Sequence, residues 1–249
     1  MNLPRPRQFR QVANFARALA HEARSLPALV LQYPFGMFRE TMQAIESPQQ
    51  EEHDIPIILI HGYFHNRSGF FAMRQRLHRQ GFLKLYTFDY PTLTRSIETL
   101  AERLAERVEE VLLYTRRERV HLVGHSLGGL IARYYVQKLG GEYRVSKCVT
   151  MGTPHKGTMA AWLSAAPTAV QMRPGSKFLE GLNALPAPQR VRWYSFYSRR
   201  DVMVFPYVNA MLPEDKFNVI NFNMDEQGHL SFLLSPSVID TVVEYLRDY

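Results

Sequence analysis

The sequence predicts an α/β fold: a mostly parallel, doubly wound sheet with helices on both faces. Three observations predict it. Short runs of branched aliphatic residues, such as Ile57-Ile58-Leu59-Ile60 and Val120-His121-Leu122-Val123, recur along the chain and suit strands buried on both faces. They alternate with stretches whose apolar residues keep a helical period, which makes βαβ units and hence a parallel sheet. The 249 residues and 46% hydrophobic content are enough for one domain with a large core.

Residues 1–54 read as an N-terminal extension. In it Phe9, Val12, Ala13, Phe15, Ala16, Leu19, Ala20 and Ala23 recur at helical spacing, which predicts an amphipathic helix on a surface, the protein's own or a membrane's. Polar Glu51-Glu52-His53-Asp54 closes the extension, and residues 55–60 form the first strand. Residues 68–80 read as a helix and 83–88 as a second strand. The clearest helix is 96–114, where Ile97, Leu100, Ala101, Leu104, Val108, Val111 and Leu112 make one apolar stripe. A strand at 120–123, a helix at 130–136 and a strand at 145–150 follow.

After Thr153-Pro154-His155 the alternation fails. Residues 156–190 are rich in Ala, Leu, Pro, Gly and Met, and carry more apolar side chains than a solvated loop needs. They are a candidate lid; a mobile cover and a fixed helical insertion packed on the sheet are both open readings. Regularity returns with a strand at 191–197, a shorter one near 217–220 and a last helix from about 236 to 246.

The most informative stretch is Val123-Gly124-His125-Ser126-Leu127-Gly128-Gly129, a G-x-S-x-G pattern with a strand before it and a helix behind it. A serine hydroxyl is a poor nucleophile unless it is held out from the backbone and deprotonated by a neighbour. A sharp strand-to-helix turn does the first by straining the serine, and Gly124 and Gly128 leave room for that turn. The turn also aims the first helix amides at the place where negative charge will build up.

The second requirement is a base oriented by a carboxylate, and in this sheet type the chain order is serine, acid, histidine. Only His155 and His229 follow Ser126. His155 comes too early, with Glu142 the sole plausible acid in between, so His229, between the last strand and last helix, is the candidate base. Asp201 lies after the 191–197 strand, at its carboxyl end, and is the candidate acid; Glu214, Asp215, Asp225 and Glu226 are rivals. Arg199 and Arg200 stand where they could lower the pKa of Asp201. For the oxyanion, the donors are the backbone amides of Leu127, directly after the serine, and of Tyr63, in the His61-Gly62-Tyr63-Phe64 turn after the first strand. Side chains of Tyr63, Phe64 and Met159 either line an acyl pocket or simply pack.

These residues together resemble the bacterial lipase and esterase branch of the α/β-hydrolase family. The resemblance rests on Leu59-Ile60-His61-Gly62, the GHSLGG run at 124–129, Gly152-Thr153-Pro154-His155-Lys156-Gly157-Thr158, Asp201 after its strand and Gly228-His229, and covers about residues 55–249. It implies the α/β-hydrolase fold with a cap insertion, Ser126, Asp201 and His229 as a triad, and hydrolysis of a carboxylic ester, lipid-like in kind. Gln171-Met172-Arg173-Pro174-Gly175-Ser176 resembles lipase cap sequence. Some secreted members bind calcium through aspartates near the histidine; here Leu230-Ser231-Phe232 follows His229 with no acid, so no metal is expected, and no cofactor. The same triad also serves acyl transfer to an alcohol or cleavage of amides and thioesters. A non-catalytic membrane-binding protein on this scaffold is a further alternative.

Charge narrows the partners. The net charge is +7, and residues 1–27 hold five arginines against the single acid Glu22. No zinc pattern, RNA-binding motif or basic-aromatic interleaving accompanies it, so nucleic acid is not expected. Contact of residues 1–50 with an anionic membrane and a merely solvated basic helix are equally open. No apolar run reaches the ~18 residues needed to span a bilayer. Asn14 and Arg17 break what would be the apolar centre of a signal peptide, so a cytoplasmic or peripheral membrane location is expected. The lone Cys148, in a buried strand, reads as core and excludes an internal disulfide. Nothing in the sequence speaks to oligomeric state.

Overall fold

The structure, a computed structural model, describes residues 20, 22–34 and 55–247. Strands β1 (Ile57–Ile60), β2 (Leu85–Phe88), β3 (Val120–His125), β4 (Val145–Met151), β5 (Arg192–Tyr197) and β6 (Val219–Asn223) form one sheet in the order β2-β1-β3-β4-β5-β6. Every pairing is parallel. Branched aliphatic residues fill β1 and β3 because both faces of these strands are covered, and every residue of the two is buried. Successive side chains of a strand point to opposite faces. Accordingly Ile58 and Ile60 join an apolar cluster with helices α3 (Ile97–Thr115) and α4 (Leu127–Lys138). Ile57 and Leu59 join a second cluster, on the other face, with α2 (Phe71–Arg79) and α7 (Pro236–Arg247).

Helix α3 follows the predicted stripe: Ile97, Leu100, Ala101, Leu104, Val108, Val111 and Leu112 are all buried. Its start is set by Ser96, whose hydroxyl accepts from the Thr99 amide, and it ends at Arg116 in a left-handed conformation (φ 54°). Cys148 is buried in β4 and burial pushes its thiol pKa up, as suits core packing. Strand β6 begins two residues later than the apolar run near Phe217 suggests. Phe217 instead sits in a turn, its amide bonded to the Pro213 carbonyl, with its ring edge-on to Trp193 at 5.6 Å.

Residues 156–190 hold a short 3-10 turn, Met159–Leu163, and helices α5 (Pro167–Gln171) and α6 (Lys177–Ala184). The later part is anchored. Met172, Leu179 and Leu182 belong to the α3–α4 cluster, the Thr168 hydroxyl donates to the Thr92 carbonyl at 2.6 Å, and the Ile97 amide donates to Gln171 Oε1 at 2.6 Å. The earlier part presents Met159, Trp162 and Leu163 to solvent.

A helix, α1, runs over residues 22–32. Most of the helical pattern read at Phe9–Ala23, and the polar 51–54 stretch, lie outside the described residues. Leu29 of α1 is buried in the second cluster, which fixes the helix to the sheet. Among the described residues no helix is long and apolar enough to cross a membrane.

Candidate active site

Strand order reverses beside β1: the chain steps from β1 out to β2, then returns to β3 on the other side. Such a switch opens a crevice at the carboxyl ends of the strands. The loops after β1, β3, β5 and β6 bring Tyr63, Ser126, Asp201 and His229 to that edge.

Ser126 sits between β3 and α4 with φ 52° and ψ −119°, a conformation that L residues rarely adopt and that costs of order 1–3 kcal/mol. Tight contacts hold it there. A Cβ on Gly124 would lie 2.6 Å from the Gly129 amide nitrogen, and one on Gly128 would run into the Ile60 carbonyl. The sequence expectation for these two glycines therefore holds at the level of backbone contact.

Asp201 and His229 meet: His229 Nδ1 donates to Asp201 Oδ2 at 2.8 Å. The other oxygen, Oδ1, accepts from the amides of Met203 at 2.8 Å and Val204 at 2.9 Å. Both side chains are buried. Burial alone would pull the imidazole pKa down, but the charge and hydrogen bond of Asp201, helped by Glu22, outweigh it and leave His229 above its ordinary value. His229 and Ser126 line one cavity; among the described residues no hydrogen bond joins them. Catalytic hydrogen bonds are often long before substrate binds.

Two of the rivals, Asp225 and Glu214, are occupied elsewhere. Asp225 pairs with Arg199, whose Nε donates to it at 2.7 Å. Arg199 is thus spent on Asp225 and not on Asp201, contrary to the sequence expectation, because the loop after β6 packs against the loop after β5. Glu214 accepts from Asn221 Nδ2 at 2.9 Å, and Asp215 is exposed in the turn before β6. His155 is buried against the Thr150 hydroxyl at 3.2 Å and does not line the cavity. His61 stacks on Tyr90 at 4.1 Å, bonds its own loop through Nδ1 and the Gly62 carbonyl, and burial lowers its pKa to about 4.

Gly62 packs on the nucleophile turn: a Cβ there would stand 3.1 Å from Ser126 Cβ. The next amide, Tyr63, has no backbone acceptor among the described residues. The Leu127 amide lies in the first turn of α4, where no intrahelical partner exists. The Tyr63 hydroxyl bonds Ser164 at 2.7 Å, tying this loop to the 156–190 segment.

Two residues escaped the sequence reading. His125 Nε2 donates to the His229 carbonyl at 3.0 Å; burial pushes its pKa well down, so it is neutral and Nε2 carries the proton. Glu22 accepts from the Leu230 amide at 2.9 Å and the Ser231 amide at 3.3 Å. His125 fills the variable position of its motif and Glu22 lies in the extension, so neither position carried a sequence signal.

The cavity has a volume of about 670 Å³. Its walls are mostly apolar and come from Tyr63 and Phe64, from Ala160, Ala161 and Met172, from Met203 and Val204, and from Leu26 and Val30 of α1. A larger hollow of about 880 Å³, lined by charged residues such as Asp89, Arg103 and Glu110, includes neither Ser126 nor His229. Of the two, only the smaller, apolar space contains the strained serine.

A sequence model of the family described as "alpha/beta hydrolase fold" matches residues 55–177. A triacylglycerol lipase of Vibrio cholerae is 33% identical over 111 residues, which cover 43% of this chain and 34% of that one. A triacylglycerol lipase of Pseudarthrobacter phenanthrenivorans is 40% identical over 57 residues, 23% of this chain and 17% of that one. The chain thus spans about a third or less of the length of these curated relatives. Among solved structures, a mature Bacillus licheniformis lipase superposes with TM-score 0.68 at 17% identity, covering 83% of this chain and 97% of the other. Aspergillus fumigatus lipase B gives TM-score 0.68 at 17% identity, covering 78% of this chain and 52% of the other. At such identities the likeness is one of fold.

Proposed function

We propose that the chain, whose residues 55–177 match the α/β-hydrolase family, is a serine hydrolase that cleaves carboxylic esters with an apolar acyl part. The observation that carries the reading is the 2.8 Å Asp201–His229 pair, whose imidazole lines the same apolar cavity as a serine held at φ 52°. In this reading Ser126 Oγ attacks the ester carbonyl carbon while His229 Nε2 takes its proton. The negative oxygen is held by the amides of Tyr63 and Leu127. Collapse expels the alcohol, which takes the proton from His229 and leaves an acyl group on Ser126. His229 then deprotonates a water, which attacks the acyl carbon and releases the acid. Asp201 keeps the imidazole in the tautomer with its free lone pair on Nε2 and balances the charge it acquires.

Mostly apolar walls support an acyl chain as the group bound, since a dry cleft with few polar groups selects hydrocarbon. Triacylglycerol lipases among the relatives support the same class. Residues 156–190 serve as a cap in which α5 and α6 are the fixed base and Met159–Leu163 forms the cavity's rim. The arginines of residues 1–27 are the part of the chain suited to an anionic membrane.

Ser126→Ala tests the reading. It is expected to abolish hydrolysis of p-nitrophenyl butyrate and labelling by a fluorophosphonate probe, with the circular dichroism spectrum unchanged. Full activity in that variant would end the proposal.

A further inference from the structure

Helix α1 does more than pack on the sheet. Its first described turn reaches the loop that bears His229. Both Glu22 carboxylate oxygens accept from the Leu230 amide, at 2.9 and 3.0 Å, and one also accepts from the Ser231 amide at 3.3 Å. Those two amides directly follow the candidate base. On the other side of the same loop, His125 holds the His229 carbonyl at 3.0 Å. The loop is therefore gripped from both sides, by a neutral donor within the elbow and by a carboxylate 208 residues away in sequence. One and two turns further on, Leu26 and Val30 of the same helix form part of the cavity wall. Both are more than half exposed, so the core does not require them there. Charge-assisted bonds to backbone amides are stronger than neutral ones, and a catalytic base misplaced by ~1 Å can cost about 10²-fold in rate.

We propose that Glu22 is a positioning residue for His229, and that α1 thereby couples the wall of the acyl cavity to the catalytic base. The inference rests on the serine-hydrolase reading above. Docking of α1 sets the loop after β6 in the place from which the imidazole serves Ser126, while Leu26 and Val30 close the hydrocarbon side of the site. The titratable groups facing His229 are Asp201 after β5, Glu22 on α1 and the neutral ring of His125 at the end of β3. Of these, Asp201 and Glu22 favour the protonated imidazole.

The experiment uses the full chain and three variants, Glu22→Gln, Glu22→Ala and Glu22→Asp, with p-nitrophenyl acetate, whose two-carbon acyl group depends least on the apolar wall. For Glu22→Gln and Glu22→Ala, kcat is expected to fall about tenfold while KM stays within about twofold, since acyl binding is untouched. With one negative charge gone, the acid limb of kcat/KM moves to lower pH; a role confined to holding the helix would not move it. Glu22→Asp keeps the charge and holds the limb in place. Wild-type kcat with an unmoved acid limb in Glu22→Gln overturns the inference. So does a loss of kcat with no movement of the limb. Fluorophosphonate labelling separates the two readings. If the wild type labels and Glu22→Gln behaves as wild type, only the inference fails. If the wild type neither labels nor hydrolyses, both fail.

Discussion

Replacing Asp201 by asparagine removes the charge of the orienting group and leaves its shape. The structure dictates which way the amide must face. Asp201 Oδ1 accepts from two backbone amides, Met203 at 2.8 Å and Val204 at 2.9 Å, so the asparagine oxygen must take that place. Turning the NH₂ toward two N–H donors would break both bonds, at about 1–3 kcal/mol each. The NH₂ therefore faces His229 Nδ1, where Oδ2 now stands at 2.8 Å. A donor facing Nδ1 requires a lone pair there, and the ring proton moves to Nε2. That nitrogen can then no longer take the proton of Ser126. The expected loss in kcat is about 10⁴-fold, or about 5 kcal/mol of transition-state stabilisation. The assay is hydrolysis of p-nitrophenyl butyrate at pH 8, with thermal unfolding alongside. Unfolding should change little, because the hydrogen bonds to the amides survive. A loss below tenfold with the fold intact would refute the argument that Asp201 sets the tautomer.

Four further outcomes can be checked. The acid limb of kcat/KM is expected above pH 6.5, because His229 is held above its ordinary value and must be neutral to act; a limb below 6.5 contradicts this. Fold stability behaves oppositely for the buried neutral histidines. His61 and His121 have pKa values lowered to about 4 and about 3, so the unfolded chain takes up protons first as pH falls through 6.5. Each should cost about 2 kcal/mol between pH 6.5 and 5, partly offset by His229, seen as a falling urea midpoint; a flat midpoint counts against it. Gly128→Ala drives a methyl into the Ile60 carbonyl, and a loss of about 2–4 kcal/mol is expected by urea denaturation; wild-type stability would contradict the packing described. Ala160→Trp should narrow the cavity and lower kcat/KM for octanoyl esters at least about tenfold more than for acetyl esters, and equal effects on both would place the acyl chain elsewhere.

Local chemistry set a good deal of this protein in advance. Periodicity is a property of neighbouring residues, so the α3 stripe and the aliphatic runs of β1 and β3 were readable without knowing what covers them. The strained serine was readable too, because the strand, the two glycines and the helix that impose it are contiguous. Chain order pointed to Asp201 and His229. That Asp225 pairs instead with Arg199 depended on how two loops pack, and no spacing records that. Edge strand β6 begins late because Phe217 turns toward Trp193, a contact between distant residues. The same holds for α5, anchored on α3, and α6, packed on α4, and above all for the two clasps on the His229 loop. His125 and Glu22 act across 104 and 208 residues of chain, where a side chain's partner is decided by which elements pack together and not by its neighbours in sequence.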